Sequence, residues 1–151
     1  MKLYSKLVIA FAFLLLVFSC KRENNAPIIP EIHHISLNRK GSDALWIIGF
    51  KDGDGDIGVK KSTSNVDNEV LYLTLFGEKN GSFSADTSYG YSIDYIENIN
   101  PNRPLEGKLE IEITGLDFIA FKYDSFYYEA YLKDRAGHKS NTIQSPVLEL
   151  N

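Results

Sequence analysis

Apolar residues recur at every second position along several short segments of this chain, and a period of two is the mark of extended strands whose alternate side chains face a core. Leu109, Ile111 and Ile113 alternate with Lys108, Glu110 and Glu112, a half-buried strand with a charged outer face. Leu71, Leu73 and Leu75 alternate with Tyr72, Thr74 and Phe76. Phe126, Tyr128, Ala130 and Leu132 alternate with Tyr127, Glu129, Tyr131 and Lys133. Ala44, Trp46, Ile48 and Phe50 share one face of a further strand. Leu45 and Ile47 make its other face partly apolar, which predicts a central strand covered on both sides. Residues 32–38 and 142–150 read as the first and last strands. Pro146 has no backbone N–H and places the last strand at a sheet edge or a bulge.

A seventh strand is expected at Tyr89–Tyr95, with Tyr89, Tyr91, Ile93 and Tyr95 on one face, read as core. No segment shows amphipathic helical spacing. About seven strands with turn signals every 8–12 residues or so predict an all-β fold, an Ig-like antiparallel β-sandwich. A Cys–Trp–Cys pattern is missing, so a fibronectin- or cadherin-type sandwich is expected rather than an antibody-type one.

The first residues obey a different rule. Lys2 and Lys6 precede an unbroken apolar run from Leu7 to Phe18. Such a run covers about 18 Å as a helix, too little for a hydrocarbon core of roughly 30 Å, and has the form of a secretory signal. It ends in Val17-Phe18-Ser19-Cys20, which resembles the bacterial lipobox. The resemblance implies that residues 1–19 are a lipoprotein signal peptide and that Cys20 becomes the first residue. Cys20 would then carry a diacylglycerol thioether and an acyl chain on its new amino group. Cys20 is the only cysteine, so the exported domain folds without an internal disulfide. Residues 20–30 read as the lipidated cysteine and a flexible, Pro-rich tether, and residues 31–151 as the sandwich domain.

Without Lys2 and Lys6, the 16 basic residues fall to 14 against 20 acidic ones, a net charge of −6 with histidine neutral. That balance argues against nucleic acid or anionic lipid surfaces as partners.

The sharpest local signal is Asp52-Gly53-Asp54-Gly55-Asp56-Ile57-Gly58. Carboxylates at alternate positions of a glycine-rich loop can converge on one cation, and calcium, which accepts 6–8 oxygens or so in loose geometry, suits them best. The loop is not an EF-hand, because Ile57 stands where that loop needs Gly and Thr63 where it needs a bidentate Glu. Asp-Gly pairs also form plain turns without metal. Asp134, in the segment Asp134-Arg135-Ala136-Gly137-His138, is expected at the same end of the sandwich. Asp52, Asp54, Asp56 and Asp134 are therefore the candidate calcium ligands, with Arg135 and Lys51 as counter-charges that would serve in place of a metal.

Other residues carry less chemistry. His33 and His34 are adjacent and point to opposite faces of a strand. His138 reads as a solvated turn residue. Glu110 and Glu112 lie about 7 Å apart on an outer face, where a solvated surface is the simpler account than a glycosidase pair. No Ser-His-Asp or Cys-His arrangement can be assembled, so no catalytic residue is expected. Tyr127 and Tyr131, opposite the core face of their strand, are candidate stacking positions for sugar rings.

Taken together, the lipobox, the tether, FKDGDGDIG after a hydrophobic strand and YLKDRAGHKSNTIQSPVLEL at the end resemble a family of small, largely uncharacterised Bacteroidota lipoproteins. The resemblance implies an Ig-like fold and an outer-membrane location and supplies no activity. The expectation is a lipid-anchored envelope protein with a non-catalytic, calcium-stabilised binding or structural module. Its expected partners are the membrane, through the anchor, and an envelope protein or glycan. The alternative is a carbohydrate-binding accessory lipoprotein that uses exposed tyrosines.

Overall fold

The computed structural model describes residues 26–59, 70–100 and 103–150. The expected signal peptide and Cys20 lie outside the described residues. Among the described residues, eight strands and one short helix follow one another: β1 (Glu31–Lys40), β2 (Asp43–Asp52), β3 (Leu71–Lys79), β4 (Ser82–Tyr91), β5 (Leu105–Ile113), α1 (Leu116–Ala120), β6 (Ser125–Leu132), β7 (Ile143–Gln144) and β8 (Leu148–Glu149). They form two antiparallel sheets. One has the order β1-β2-β5, and the other β4-β3-β6, with β7 and β8 both paired to the remaining edge of β6. The chain changes sheets between β2 and β3 and again on either side of β5, which is the crossing pattern of an Ig-like β-sandwich.

The alternating positions become the core. Trp46 and Ile48 of β2, Leu73 of β3, Ile111 and Ile113 of β5, and Phe126, Ala130 and Leu132 of β6 are buried between the sheets. A fully buried side chain of this size contributes about 1.5–3 kcal/mol relative to leaving it in water. As the mixed pattern predicted, β2 is the middle strand of its sheet, with Leu45 and Ile47 half-buried on its outer face. The single indole of the chain, Trp46, donates its Nε1–H to His34 Nδ1 at 2.9 Å. The last strand breaks as Pro146 demanded, into β7 and β8 with Ser145-Pro146-Val147 between. Serine replaces the lost ladder there, since Ser145 Oγ accepts the Tyr128 N–H at 2.9 Å. Ser140 Oγ does the same for Leu132 at 2.9 Å.

Two expectations need correction. The strand read at Tyr89–Tyr95 is β4, Ser82–Tyr91, and every one of its positions is exposed. β4 is the edge of the wider sheet, and although Phe83, Ala85, Tyr89 and Tyr91 alternate with polar or small residues, the edge position leaves all of them open to solvent. For the same reason the tyrosines are not core. Tyr89 and Tyr91 line an open cleft of about 290 Å³ between β4 and β5, and Tyr95 lies beyond the strand. The five-residue helix α1 joins β5 to β6, with Leu116 buried and Phe118 exposed.

Candidate metal centre

The β2–β3 connection and the β6–β7 connection emerge at one pole of the sandwich, and they are tied to each other there. Arg135 N–H donates to Asp56 O at 3.2 Å, and Ala136 N–H donates to Asp56 Oδ2 at 3.0 Å. The Arg135 guanidinium donates to the carbonyls of Ile57 and Gly58, each at 3.0 Å. Ile57 itself is fully buried and closes this end of the core. The loop that reads as polar in sequence is thus held by one apolar side chain and by its partner loop. Gly58 has φ 84°, and a Cβ there would run into the carbonyl oxygen of Asp94. A glycine is required at this position on both counts.

Within this frame Asp52, Asp56 and Asp134 converge, with one carboxylate oxygen from each lying within 4.8 Å of the others. Asp52 is fully buried, and Asp134 is buried with 6% of its surface exposed. Asp52 Oδ2 accepts the Asp56 N–H at 2.7 Å. The other oxygens, Asp52 Oδ1 and Asp56 Oδ1, are buried without a hydrogen-bond partner. Asp134 is held by the turn it starts, with Oδ1 accepting the His138 N–H at 2.7 Å and Oδ2 2.8 Å from His138 Nδ1.

The electrostatics follow from the geometry. Burial, with the charges of Asp54, Asp56 and Asp134 adding to it, pushes the Asp52 carboxyl from 3.8 up to about 6, against the opposing hydrogen bond from Asp56 N–H. Burial and the charges of Asp134 and Asp54 also raise Asp56, while the Ala136 hydrogen bond and Arg135 hold it down. A buried carboxylate with an oxygen left unpaired is costly unless a cation reaches it. The two cations that the sequence offered as substitutes have other partners. Lys51 pairs with Glu106 at 3.1 Å on the surface. Arg135 caps carbonyls and stacks over the Tyr95 ring at 4.7 Å.

Of the four aspartates expected at the site, the structure brings together three. Asp54 is exposed and stands outside the converging group, acting on it through charge. His138, read as a solvated turn residue, is half-buried and orients Asp134 instead; only the folded hairpin reveals that pairing. The tether reading also changes. Pro30 is fully buried and Pro27 O accepts the Gly53 N–H at 3.0 Å, so Ala26–Pro30 is seated against the acidic loop.

Tyr127 and Tyr131 do lie on the outer face of β6, but their rings are engaged. Tyr131 stacks on Tyr72 at 4.8 Å, and Lys139 Nζ sits 3.8 Å from its centroid. Tyr127 stacks on Phe76 at 4.9 Å and packs against Phe83 at 5.0 Å. These contacts take up the ring surfaces that a sugar would stack on.

Comparisons with known proteins give limited likeness. No protein-family model matches the chain, and no curated protein matches it. Crystal structures of wild type OgpA from Akkermansia muciniphila are similar at 12% identity and a TM-score of 0.43, over 85% of this chain and 29% of that chain in one crystal form and 31% in another. The crystal structure of a DUF3823 family protein from Bacteroides ovatus is similar at 13% identity and a TM-score of 0.41, over 82% of this chain and 56% of that one. The chain therefore spans less than a third of OgpA and little more than half of the DUF3823 protein.

Proposed function

We propose that this chain is a lipid-anchored outer-membrane protein whose Ig-like domain is a non-catalytic binding or structural module, stabilised by one calcium ion held between its β2–β3 and β6–β7 loops. One observation carries the metal reading. Two buried carboxylate oxygens, Asp52 Oδ1 and Asp56 Oδ1, have no partner, and both belong to a group completed by Asp134. Three carboxylates and open coordination positions suit a hard divalent ion with flexible geometry. The anchor rests on Cys20 and the apolar run before it.

The test is thermal unfolding of the chain from Lys21 onward, in chelator and in millimolar calcium. Extracellular modules bind calcium with Kd of about 10⁻⁴–10⁻³ M, which gives roughly 0.4–1.4 kcal/mol of stabilisation. For a domain of this size that is a rise of a few degrees in Tm. Magnesium substitutes poorly, since it demands tighter octahedral geometry and keeps its water. Identical melting curves together with no heat of calcium binding refute the site. Cys20→Ser tests the anchor, because the thioether requires sulfur: the mature protein leaves the membrane fraction. An unmodified Cys20 in wild-type membranes, read by intact mass, refutes it.

A further inference from the structure

The acidic pole is also the end from which the chain runs to its anchor. Pro30 is buried there, Pro27 O accepts the Gly53 N–H at 3.0 Å, and a Cβ on Gly53 would collide with the carbonyl oxygens of Ala26 and Pro27. Segment 26–30 thus lies directly on the loop that carries Asp52 and Asp56. It presents two adjacent apolar side chains to the outside, Ile28 at 54% exposure and Ile29 at 50%. Six residues, Cys20 to Asn25, precede Ala26 and include Lys21 and Arg22. Fully extended, they reach about 20 Å.

We infer that this pole is a membrane-docking surface, in which Ile28 and Ile29 enter the headgroup layer of the anchoring bilayer once calcium has offset most of the charge of the Asp52, Asp56 and Asp134 group beside them. The occupant is a lipid surface because the tether is too short to hold this pole far from one. Charge sets the calcium dependence. Without the ion, buried and exposed carboxylates resist approach to anionic headgroups, and with it the local negative charge falls by two. Lys21 and Arg22 add positive charge to the same stretch of chain. This inference rests on the proposed anchor and cation site.

The experiment uses the mature lipidated protein in vesicles of phosphatidylethanolamine and phosphatidylglycerol. The sulfur of Cys20 is consumed by the thioether, so Ile29→Cys supplies a single free thiol for a fluorophore. Lipid-borne quencher reports its contact with the bilayer. Calcium is expected to raise quenching about twofold or more, chelator to reverse it, and Ile28→Asn to lower the response while leaving the calorimetric heat of calcium binding unchanged. Asp52→Asn is expected to remove both the response and the heat. Calcium heat with unchanged quenching, or full quenching already in chelator, overturns the docking and leaves the cation site standing. No calcium heat in the wild-type protein overturns the cation site, and this inference with it.

Discussion

The two poles of the sandwich are both turned by glycines, but for different reasons. At the pole away from the tether, Gly41 links β1 to β2 and Asn80-Gly81 links β3 to β4. Asn80 has φ 56° and Gly81 φ 78°, the two positive angles of a tight hairpin turn, and nothing lies within 4 Å of a Cβ placed on Gly41 or Gly81. Backbone geometry alone selects those glycines. At the acidic pole the glycines of the Asp52–Gly58 loop are crowded: Gly53 by Ala26 and Pro27, Gly55 by Asn98, Gly58 by Asp94. There the space has been taken by segments distant in sequence, and buried carboxylates fill what remains. One pole is a pair of local turns, and the other is a tertiary assembly that is incomplete in its charges.

The largest expected effect breaks this contrast directly. Gly58→Ala is expected to destabilise the domain by about 3 kcal/mol, combining left-handed strain with a backbone collision. Gly41→Ala meets only the strain and is expected to cost about 1 kcal/mol. Urea denaturation measures both, and equal losses would erase the distinction between the poles.

The next effect is a pH dependence that only the acidic pole should show. In the folded state Asp52 titrates at about 6 rather than 3.8, so the folded protein holds this proton more tightly than the unfolded one. The stabilisation from that proton is complete below the unfolded value and is lost as pH rises through about 6. Asp56, raised in the same direction, adds to the loss. Asp86, held below its ordinary value by the Lys122 hydrogen bond on the exposed edge strand, acts in the opposite sense. In chelator, Asp52→Asn keeps an acceptor for the Asp56 N–H and removes the buried charge. It is expected to be more stable than wild type by on the order of 2–3 kcal/mol at pH 7, with the difference vanishing near pH 4. Calcium should narrow the gap at pH 7 by the roughly 0.4–1.4 kcal/mol that it adds to the wild type. A variant that is less stable than wild type in chelator would show that the carboxylate is satisfied without a metal.

The smallest effect concerns the residue that orients Asp134. His138→Ala removes the partner of Asp134 Oδ2 and is expected to cost about 1 kcal/mol, with calcium affinity falling about tenfold. Calorimetry at neutral pH measures the affinity. An unchanged affinity would show that the hairpin backbone alone places Asp134.

Much of this architecture was legible because burial between two sheets imposes alternation. Leu73, Ile111 and Phe126 announce their faces through their neighbours' polarity, and Pro146 announces the break in the last strand through its missing N–H. β4 was illegible for the complementary reason. Phe83, Ala85, Tyr89 and Tyr91 alternate as a buried face would, but the edge strand stands off from β5 across an open cleft and leaves them exposed. The outer tyrosines were placed on the correct face, but their stacking partners on β3 and β4 belong to register rather than to local sequence.

The same division runs through the acidic pole. Local sequence determined that a glycine-rich turn carries Asp52, Asp54 and Asp56, and the alternation of strands determined that Asp134 belongs to the same end. Tertiary structure alone decided that Asp52 and Asp56 converge with Asp134 while Asp54 stays in solvent, that Lys51 and Arg135 have other partners, and that the tether lies on the loop. The physical reason is that composition and spacing fix which groups are available, whereas desolvation and hydrogen-bond satisfaction depend on what packs around each atom after the chain has closed on itself.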